Sequence, residues 1–209
     1  MPTTPSLFIP GGLLIAFDGI DGGGKTTHAS KLAETLNTQG YTVVTTKEPT
    51  NGQWGSLLRA SAHEGRKNPE EELELFLKDR AEHVETKIKP ALTNGEIVII
   101  DRYYFSTIAY QGARGLDPEL IRTQNEAFAP KPDRLFILDI PLEEALNRIT
   151  IRDGQGNAFE GRENLSRCKT HFDALSDSFL LRVDSTAPSE KVEAIISTDI
   201  KALIESKLT

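Results

Sequence analysis

Glycines, a lysine and a threonine follow one another in residues 19–27 at a spacing that suits phosphate binding. The segment fits the pattern G-x-x-x-x-G-K-[ST], in which curled glycine backbone points successive N–H groups at phosphate oxygens. Lys25 is expected to reach the β- and γ-phosphates of a nucleotide, and Thr26 to hold Mg²⁺ through its hydroxyl. A plain glycine-rich turn is the alternative, but such a turn needs neither the lysine nor the threonine. The predicted nucleotide-binding residues here are Gly19, Ile20, Asp21, Gly22, Gly23, Gly24, Lys25, Thr26 and Thr27.

A second phosphate-binding candidate is the pair Asp101-Arg102, which directly follows the apolar run 97–100. A carboxylate at this position can support Mg²⁺ beside the glycine-rich loop, and the planar guanidinium of an arginine can grip a second phosphate. The alternative is an ordinary Asp–Arg surface pair.

Two further sets of residues offer contacts to a planar ligand. Phe76 and Arg80 are four residues apart, so on a helix they share one face, where the ring can stack and the guanidinium can donate to a carbonyl. A core phenylalanine beside a solvated arginine is the more common explanation of such a pair. Glu48-Pro49 follows another apolar run, and a residue before proline is held extended.

The elements that must position these residues alternate between short apolar runs and longer helical patterns. The strongest runs are continuously apolar, as expected for parallel strands covered on both faces. The pattern predicts a doubly wound α/β domain, in which ligands collect beyond the carboxyl ends of the strands. The predicted strand cores are 13–17, 43–44, 97–100, 135–138 and 180–183.

The clearest helix is predicted to begin after Asn68, which can cap it, with Pro69 at its first position. Asn94-Gly95 supplies the stop before the next strand. Pro90 is expected to kink or interrupt the last part of this helix.

Composition limits the class of protein. The 209 residues carry 24 Lys+Arg against 31 Asp+Glu, a formal net charge of −7, which argues against a general nucleic-acid or anionic-membrane binder. The single cysteine, Cys168, excludes an internal disulfide and a multi-cysteine zinc site. No apolar run approaches the roughly 20 residues of a membrane span. We expect a flexible lead-in over residues 1–12, a single domain over residues 13–209 and a cytoplasmic location.

The order of these motifs resembles that of the thymidylate kinase family in its bacterial form. The glycine-rich loop is followed by Lys47-Glu48-Pro49, then L-F-x-x-D-R from residue 75 and D-R-Y-x-x-S-T-x-A-Y-Q-G from residue 101. The resemblance covers nearly the whole chain from about Leu13. It implies a P-loop kinase with a five-stranded parallel sheet flanked by helices on both faces. It also implies a homodimer that transfers the γ-phosphoryl group of ATP to dTMP with Mg²⁺, towards dTTP synthesis.

Residue roles follow from the resemblance at the matching positions. Phe76 is expected to stack on thymine, Arg80 to bind the edge of the base, and Tyr110 to pack near the deoxyribose. Arg102 is expected to hold the acceptor phosphate together with Arg59. The other positions implied to surround the acceptor or the metal are Asp21, Glu48, Asp101, Ser106, Thr107 and Gln111.

The match loosens in a basic lid expected over about residues 148–162. The family often has D-R-x-E in this lid, whereas this chain has Ala158 at the arginine position. With the small residue Gly22 in the glycine-rich loop, the chain is similar to the members of the family that rely on arginines of the lid. Arg152 is therefore the predicted catalytic cation. Arg148 is expected to lie against adenine, and Arg162 is the next candidate for the catalytic role.

The acceptor loop departs as well, since E-P-T-N-G replaces the usual E-P-G-G-T in residues 48–52. Two alternatives therefore stay open at the level of sequence. One is a related P-loop kinase for another nucleotide or nucleoside, and the other is a weakly active nucleotide-binding relative. A GTPase is disfavoured because the chain contains no N-K-x-D motif.

Overall fold

A computed structural model describes residues 7–153 and 158–209 of the chain. Five parallel strands form one sheet in the order β2-β3-β1-β4-β5. The strands are β1 (Leu13–Asp18), β2 (Val43–Lys47), β3 (Ile97–Asp101), β4 (Arg134–Asp139) and β5 (Leu180–Asp184). All five predicted strand cores lie within these limits, and the predicted parallel α/β architecture is confirmed.

Helices connect the strands. They are α1 (Lys25–Thr38), α2 (Gln53–Glu64), α3 (Pro69–His83), α4 (Lys89–Thr93), α5 (Tyr104–Gly112), α6 (Pro118–Glu126), α7 (Leu142–Asp153), α8 (Ala158–Ala174) and α9 (Ser189–Leu208). A single π-helical turn, Val84–Ile88, joins α3 to α4.

The sheet separates two hydrophobic layers, which explains why its central strands are apolar on both faces. On one face, Ile15 and Phe17 of β1 pack with Leu32 of α1 and Ile196 of α9. On the other face, Ala16 packs in a cluster that draws on α5 and α8. Residues of β1 are therefore buried whichever way they point. The carboxyl ends of β1 and β3 are held in register between these layers, and this register places Phe17 beside Asp101.

The start of α3 agrees with the sequence signals. Asn68 Oδ1 accepts a hydrogen bond from Glu71 N at 2.8 Å, and Pro69 is the first helical residue.

The interruption expected at Pro90 begins earlier, in the π-helical turn, and α4 contains the proline itself. Proline lacks the N–H that would continue the α-helical ladder, so a wider turn before it leaves fewer backbone groups unpaired.

Within the described residues, none of the helices is both long and apolar enough to cross a bilayer.

Candidate active site

The glycine-rich loop joins β1 to α1, as the sequence predicts. Gly19, Gly22 and Gly24 all have positive φ angles, of 122°, 85° and 84°, which L-residues with a side chain rarely adopt. A Cβ at Gly19 would also lie 2.8 Å from Leu138 O of β4. Glycine is therefore required for the loop to curl against the neighbouring strand.

Lys25, the first residue of α1, reaches back into this loop. Its Nζ donates to Gly19 O at 3.0 Å and to Ile20 O at 2.9 Å. Burial, with the nearby Arg102 charge, lowers the pKa of Lys25 to about 8. An ammonium held inside the loop in this way is placed where the loop amides would meet phosphate oxygens.

Thr26 and Asp101 meet at the edge of the loop and fit a magnesium ion. Thr26 Oγ1 donates to Asp101 Oδ2, while Asp101 Oδ1 is buried and has no hydrogen-bond partner in the described part of the chain. Mg²⁺ takes oxygen ligands and is usually held by one or two protein groups together with substrate phosphates. Among the described residues no group of three or more histidine, cysteine or acidic side chains could hold a metal by itself. The pair therefore suits an ion that arrives with a nucleotide.

Arg102 is held in a fixed position beyond β3. Its φ angle is 67°, and its backbone N–H donates to Phe17 O of β1 at 2.9 Å. The guanidinium pairs with Asp21 of the loop, donates to Ser106 Oγ at 3.1 Å and lies 5.4 Å from the centre of the Tyr110 ring. This arrangement aims a cation at the mouth of the glycine-rich loop.

Asp21 links the loop to the residues of α5. Burial disfavours its charged form, but the Arg102 and Lys25 charges outweigh burial and lower the pKa of Asp21. Tyr110 Oη donates to Asp21 Oδ2 at 3.2 Å. Asp21 therefore stays ionised at neutral pH and orients Arg102 and Tyr110 together.

Asp18, at the end of β1, is a structural member of the site to which sequence reasoning gave no role. Its fully buried carboxylate accepts from Tyr103 N at 2.9 Å and from Ser106 Oγ. Burial raises the pKa of Asp18 to about 6, although the Ser106 and Tyr103 hydrogen bonds oppose the shift. The contacts fix the turn that carries Arg102. The available signal is its position directly after the apolar run 13–17, at the strand end where ligands of a parallel sheet collect.

Arg80 lies in a buried polar network rather than on a surface. Its side chain is 1% exposed and pairs with Glu48 Oε2, with Nη2–Oε2 at 2.6 Å and Nε–Oε2 at 2.8 Å. Nη1 donates to Asn125 Oδ1 at 2.5 Å and Nη2 to Thr107 Oγ1 at 3.0 Å. His83 Nδ1 contacts Glu48 Oε1 at 2.9 Å. The network supports α3 behind the cleft, and the binding of a base edge by Arg80 stays a prediction.

The remaining residues assigned to the acceptor base lie on α3 and α5. Phe76 is half-buried on α3. Gln111 is fully buried; its Nε2 donates to Glu72 Oε2 at 2.5 Å, and its Oε1 is a buried acceptor with no partner in the described residues. Ser106, predicted near the base, donates its hydroxyl to Asp18 Oδ1 and accepts a hydrogen bond from Arg102 Nη1. These roles toward a base stay predictions.

Most of the predicted phosphate-handling residues line one cleft of ≈590 Å³. Its lining carries six cationic side chains and three carboxylates. The net charge of the lining is therefore positive, whereas the formal net charge of the whole chain is −7. A cleft with this local excess of positive charge concentrates anionic ligands on an acidic protein. The charged residues that line it are Asp21, Lys25, Lys47, Glu48, Arg59, Asp101, Arg102, Arg148 and Arg152.

Arg148 and Arg152 reach the cleft from α7. Arg148 donates from Nη1 to Gly22 O at 3.3 Å and from Nη2 to Ser185 O at 3.1 Å, so it bridges the glycine-rich loop and the loop after β5. Arg152 pairs with the adjacent Asp153 at 2.6 Å and is 62% exposed. Within residues 7–153 and 158–209, Arg148 is thus held by two loops, whereas the hydrogen bonds of Arg152 go to its exposed neighbour Asp153.

The lid expected over residues 148–162 is divided between two helices. Residues 148–153 end α7, residues 158–162 begin α8, and residues 154–157 lie outside the described part of the chain. Arg162 pairs with Glu143 in the first turn of α7, with Nη1–Oε2 at 2.9 Å.

The family model for thymidylate kinase matches residues 17–196, which include every element of the cleft. The chain belongs to the thymidylate kinase family. It is 50% identical over 200 residues to a thymidylate kinase of Xanthomonas euvesicatoria pv. vesicatoria (strain 85-10), covering 96% of this chain and 88% of that relative. It is 51% identical over 183 residues to a thymidylate kinase of Akkermansia muciniphila, covering 88% of each chain. The comparisons give no support to the two alternatives that the sequence left open.

Gly22 shows why this thymidylate kinase family member has no arginine within its glycine-rich loop. A Cβ at Gly22 would lie 2.7 Å from Ala145 O and 3.0 Å from Ala145 Cα of α7. The backbone of α7 therefore occupies the place where a loop side chain would begin. Gly22 therefore lets α7, which carries Arg148 and Arg152, pack directly against the glycine-rich loop.

Proposed function

We propose that the protein transfers the γ-phosphoryl group of ATP to dTMP, forming dTDP and ADP towards dTTP synthesis. The observation that carries the proposal is the cationic cleft, whose lining brings Lys25 of the loop together with Arg102 and Arg59. Cations from the glycine-rich loop, from α2 and from the end of β3 in one cleft suit two phosphate-bearing ligands that must meet end to end. Membership of the thymidylate kinase family supports dTMP as the acceptor.

The proposed mechanism depends on positioning and charge rather than on a general base. A nucleoside monophosphate has a second pKa of about 6, so its phosphate oxygens are largely anionic at neutral pH and can attack directly. The protein must hold two mutually repelling phosphates in line and offset the charge of the transferred group. Lys25 would hold the donor phosphates, and Arg102 with Arg59 the acceptor phosphate.

The carboxylates of the cleft have distinct roles in this proposal. Asp21 keeps Arg102 aimed at the acceptor by its ion pair. Thr26 and Asp101 would hold Mg²⁺, which supplies positive charge to the donor phosphates when it is bound. Arg152 would move from Asp153 to the transferred phosphoryl group, and movement of the last turn of α7 over the cleft would exclude water.

A coupled assay of ADP release with dTMP, dUMP, dCMP and dGMP as acceptors tests this function. We expect turnover that requires Mg²⁺ and is fastest with dTMP. No acceptor-dependent turnover with any of the four would refute the proposal. A preference for another acceptor would keep the nucleotide kinase and reject its assignment to dTMP.

We further propose that residues 13–209 act as a single domain, that the active form is a homodimer, and that the enzyme works in the cytoplasm without nucleic-acid or membrane partners. Family membership supports the dimer, and the acidic balance of the chain supports the absence of nucleic acid. Sedimentation equilibrium tests the dimer, and a concentration-independent monomer mass would reject it.

A further inference from the structure

The acceptor loop of residues 48–52 is fastened to α3 through Thr50. The Asp79 carboxylate, 3% exposed, accepts from Thr50 N at 2.8 Å through Oδ2 and from Thr50 Oγ1 at 2.6 Å through Oδ1. The same hydroxyl accepts from Gly52 N at 3.0 Å. Two of these three bonds need the hydroxyl, so a residue without a side-chain donor and acceptor at this position could not form them.

The carbonyl groups of this loop in turn hold Arg59. Arg59 Nη1 donates to Thr50 O at 2.6 Å and to Pro49 O at 3.1 Å, and its Nη2 donates to Ser56 Oγ at 3.3 Å. Arg59 is exposed on α2 and lines the cationic cleft with Arg102. These bonds use three of the five N–H protons of a guanidinium, so protons remain to bind a phosphate. The loop thereby restricts a side chain that would otherwise sample many rotamers.

The close approach of α2 shows that the position of Thr50 is fixed from the other side as well. A Cβ at Gly55 would lie 2.0 Å from Thr50 O and 2.8 Å from both Thr50 C and Thr50 N. Gly55 therefore lets the first turns of α2 contact the loop backbone directly. Thr50 is held between Asp79 of α3 and Gly55 of α2, and Arg59 is one helical turn further along α2.

We infer that Thr50 and Asp79 are positioning residues for the acceptor phosphate and that they act through Arg59. The inference rests on the proposed function, because it assumes that Arg59 binds the phosphate of the acceptor. Asp79 fixes Thr50, Thr50 O fixes the Arg59 guanidinium, and the guanidinium is preorganised before the substrate arrives. Preorganisation of a phosphate-binding group lowers the cost of binding and alignment. The hydroxyl of Thr50 helps to hold the acceptor loop of residues 48–52 in place.

The test compares dTMP with thymidine, which lacks the phosphate. Thr50→Val removes the hydroxyl bonds at constant shape and keeps the N–H contact to Asp79. We expect Thr50→Val to raise the KM for dTMP about tenfold, as for the loss of a hydrogen bond that orders a charged group, and to leave the KM for ATP unchanged. Calorimetry should show the same loss of affinity for dTMP and no loss for thymidine. Thr50→Ser should restore wild-type values.

Two control variants separate positioning from a general loss of structure. Thr123→Val makes the same change on α6, where the hydroxyl donates to Glu119 O within the helix, and should behave as wild type. In an Arg59→Ala background, Thr50→Val should have no further effect on dTMP affinity. Thermal unfolding of each variant checks that it is folded.

The outcomes distinguish this inference from the proposed function. Wild-type turnover of dTMP with unchanged dTMP affinity in Thr50→Val refutes the positioning role alone. Equal losses for dTMP and thymidine, or full additivity with Arg59→Ala, also refute it, because Thr50 would then act on the base or independently of Arg59. Wild-type protein that neither binds nor phosphorylates dTMP refutes the proposed function and this inference with it.

Discussion

Replacement of Arg152 by alanine tests the assignment of the catalytic cation to α7. Arg152 lines the cleft but is 62% exposed and pairs only with its exposed neighbour Asp153 among the contacts described. An exposed ion pair contributes little to stability, so the variant should fold normally. An arginine that stabilises the charge of phosphoryl transfer accounts for about 10³–10⁵ in kcat. Because Lys25 and Arg102 remain in the cleft, we expect a loss near the lower end, about 10³-fold.

The assay is steady-state ADP release with dTMP and ATP varied separately, supported by calorimetric binding of dTMP. The kcat should fall as stated while the dissociation constant for dTMP changes by less than about threefold, since the interaction arises only in the transition state. Arg167→Ala is a matched control, because Arg167 is an exposed arginine of α8 that pairs with Glu163. A near-normal kcat in Arg152→Ala would refute the assignment and move the role to Arg148 or Arg162.

Three further predictions concern buried contacts of the fold. Glu48→Ala removes the carboxylate that pairs with the buried guanidinium of Arg80. The free energy of unfolding measured in urea should therefore fall by about 3–5 kcal/mol. An unchanged free energy of unfolding would contradict the buried pair. Gly22→Ala places a Cβ 2.7 Å from Ala145 O at a residue with left-handed backbone. The kcat measured in the coupled assay should therefore fall at least tenfold. A wild-type kcat would show that α7 can move away freely. Cys168 is fully buried, and burial raises the pKa of its thiol to about 12. Its alkylation by iodoacetamide at pH 8 should therefore be slow in the native protein and fast on unfolding, and rapid labelling of the native protein at pH 8 would exclude this burial.

The parts of the fold that could be predicted from sequence are those specified by local signals. The apolar runs mark the central strands because both faces of a parallel sheet are covered. Asn68 and Pro69 mark the start of α3 because the cap and the first turn lie within four residues. The glycine-rich loop is readable for the same reason, since its conformation, its lysine and its threonine are contiguous.

The supports of the site depend on distant residues and were not predicted. Asn125 meets Arg80 across 45 positions in the chain, and Asp79 meets Thr50 across 29. Nothing in the sequence around Asn125 distinguishes a buried amide on α6 from a solvated one. Such pairs form only when the helices pack, so tertiary structure alone identifies them.

The transfer of labelled phosphate tests the central claim most directly. The protein would be incubated with ATP labelled at the γ-phosphate, Mg²⁺ and dTMP, and the products separated by chromatography. A cleft in which Lys25 and Arg102 bring two phosphates together predicts that the label appears in dTDP, one for each ADP formed, and that Arg102→Met abolishes the transfer. Label released as inorganic phosphate, or retained in ATP in the presence of dTMP, would contradict the account.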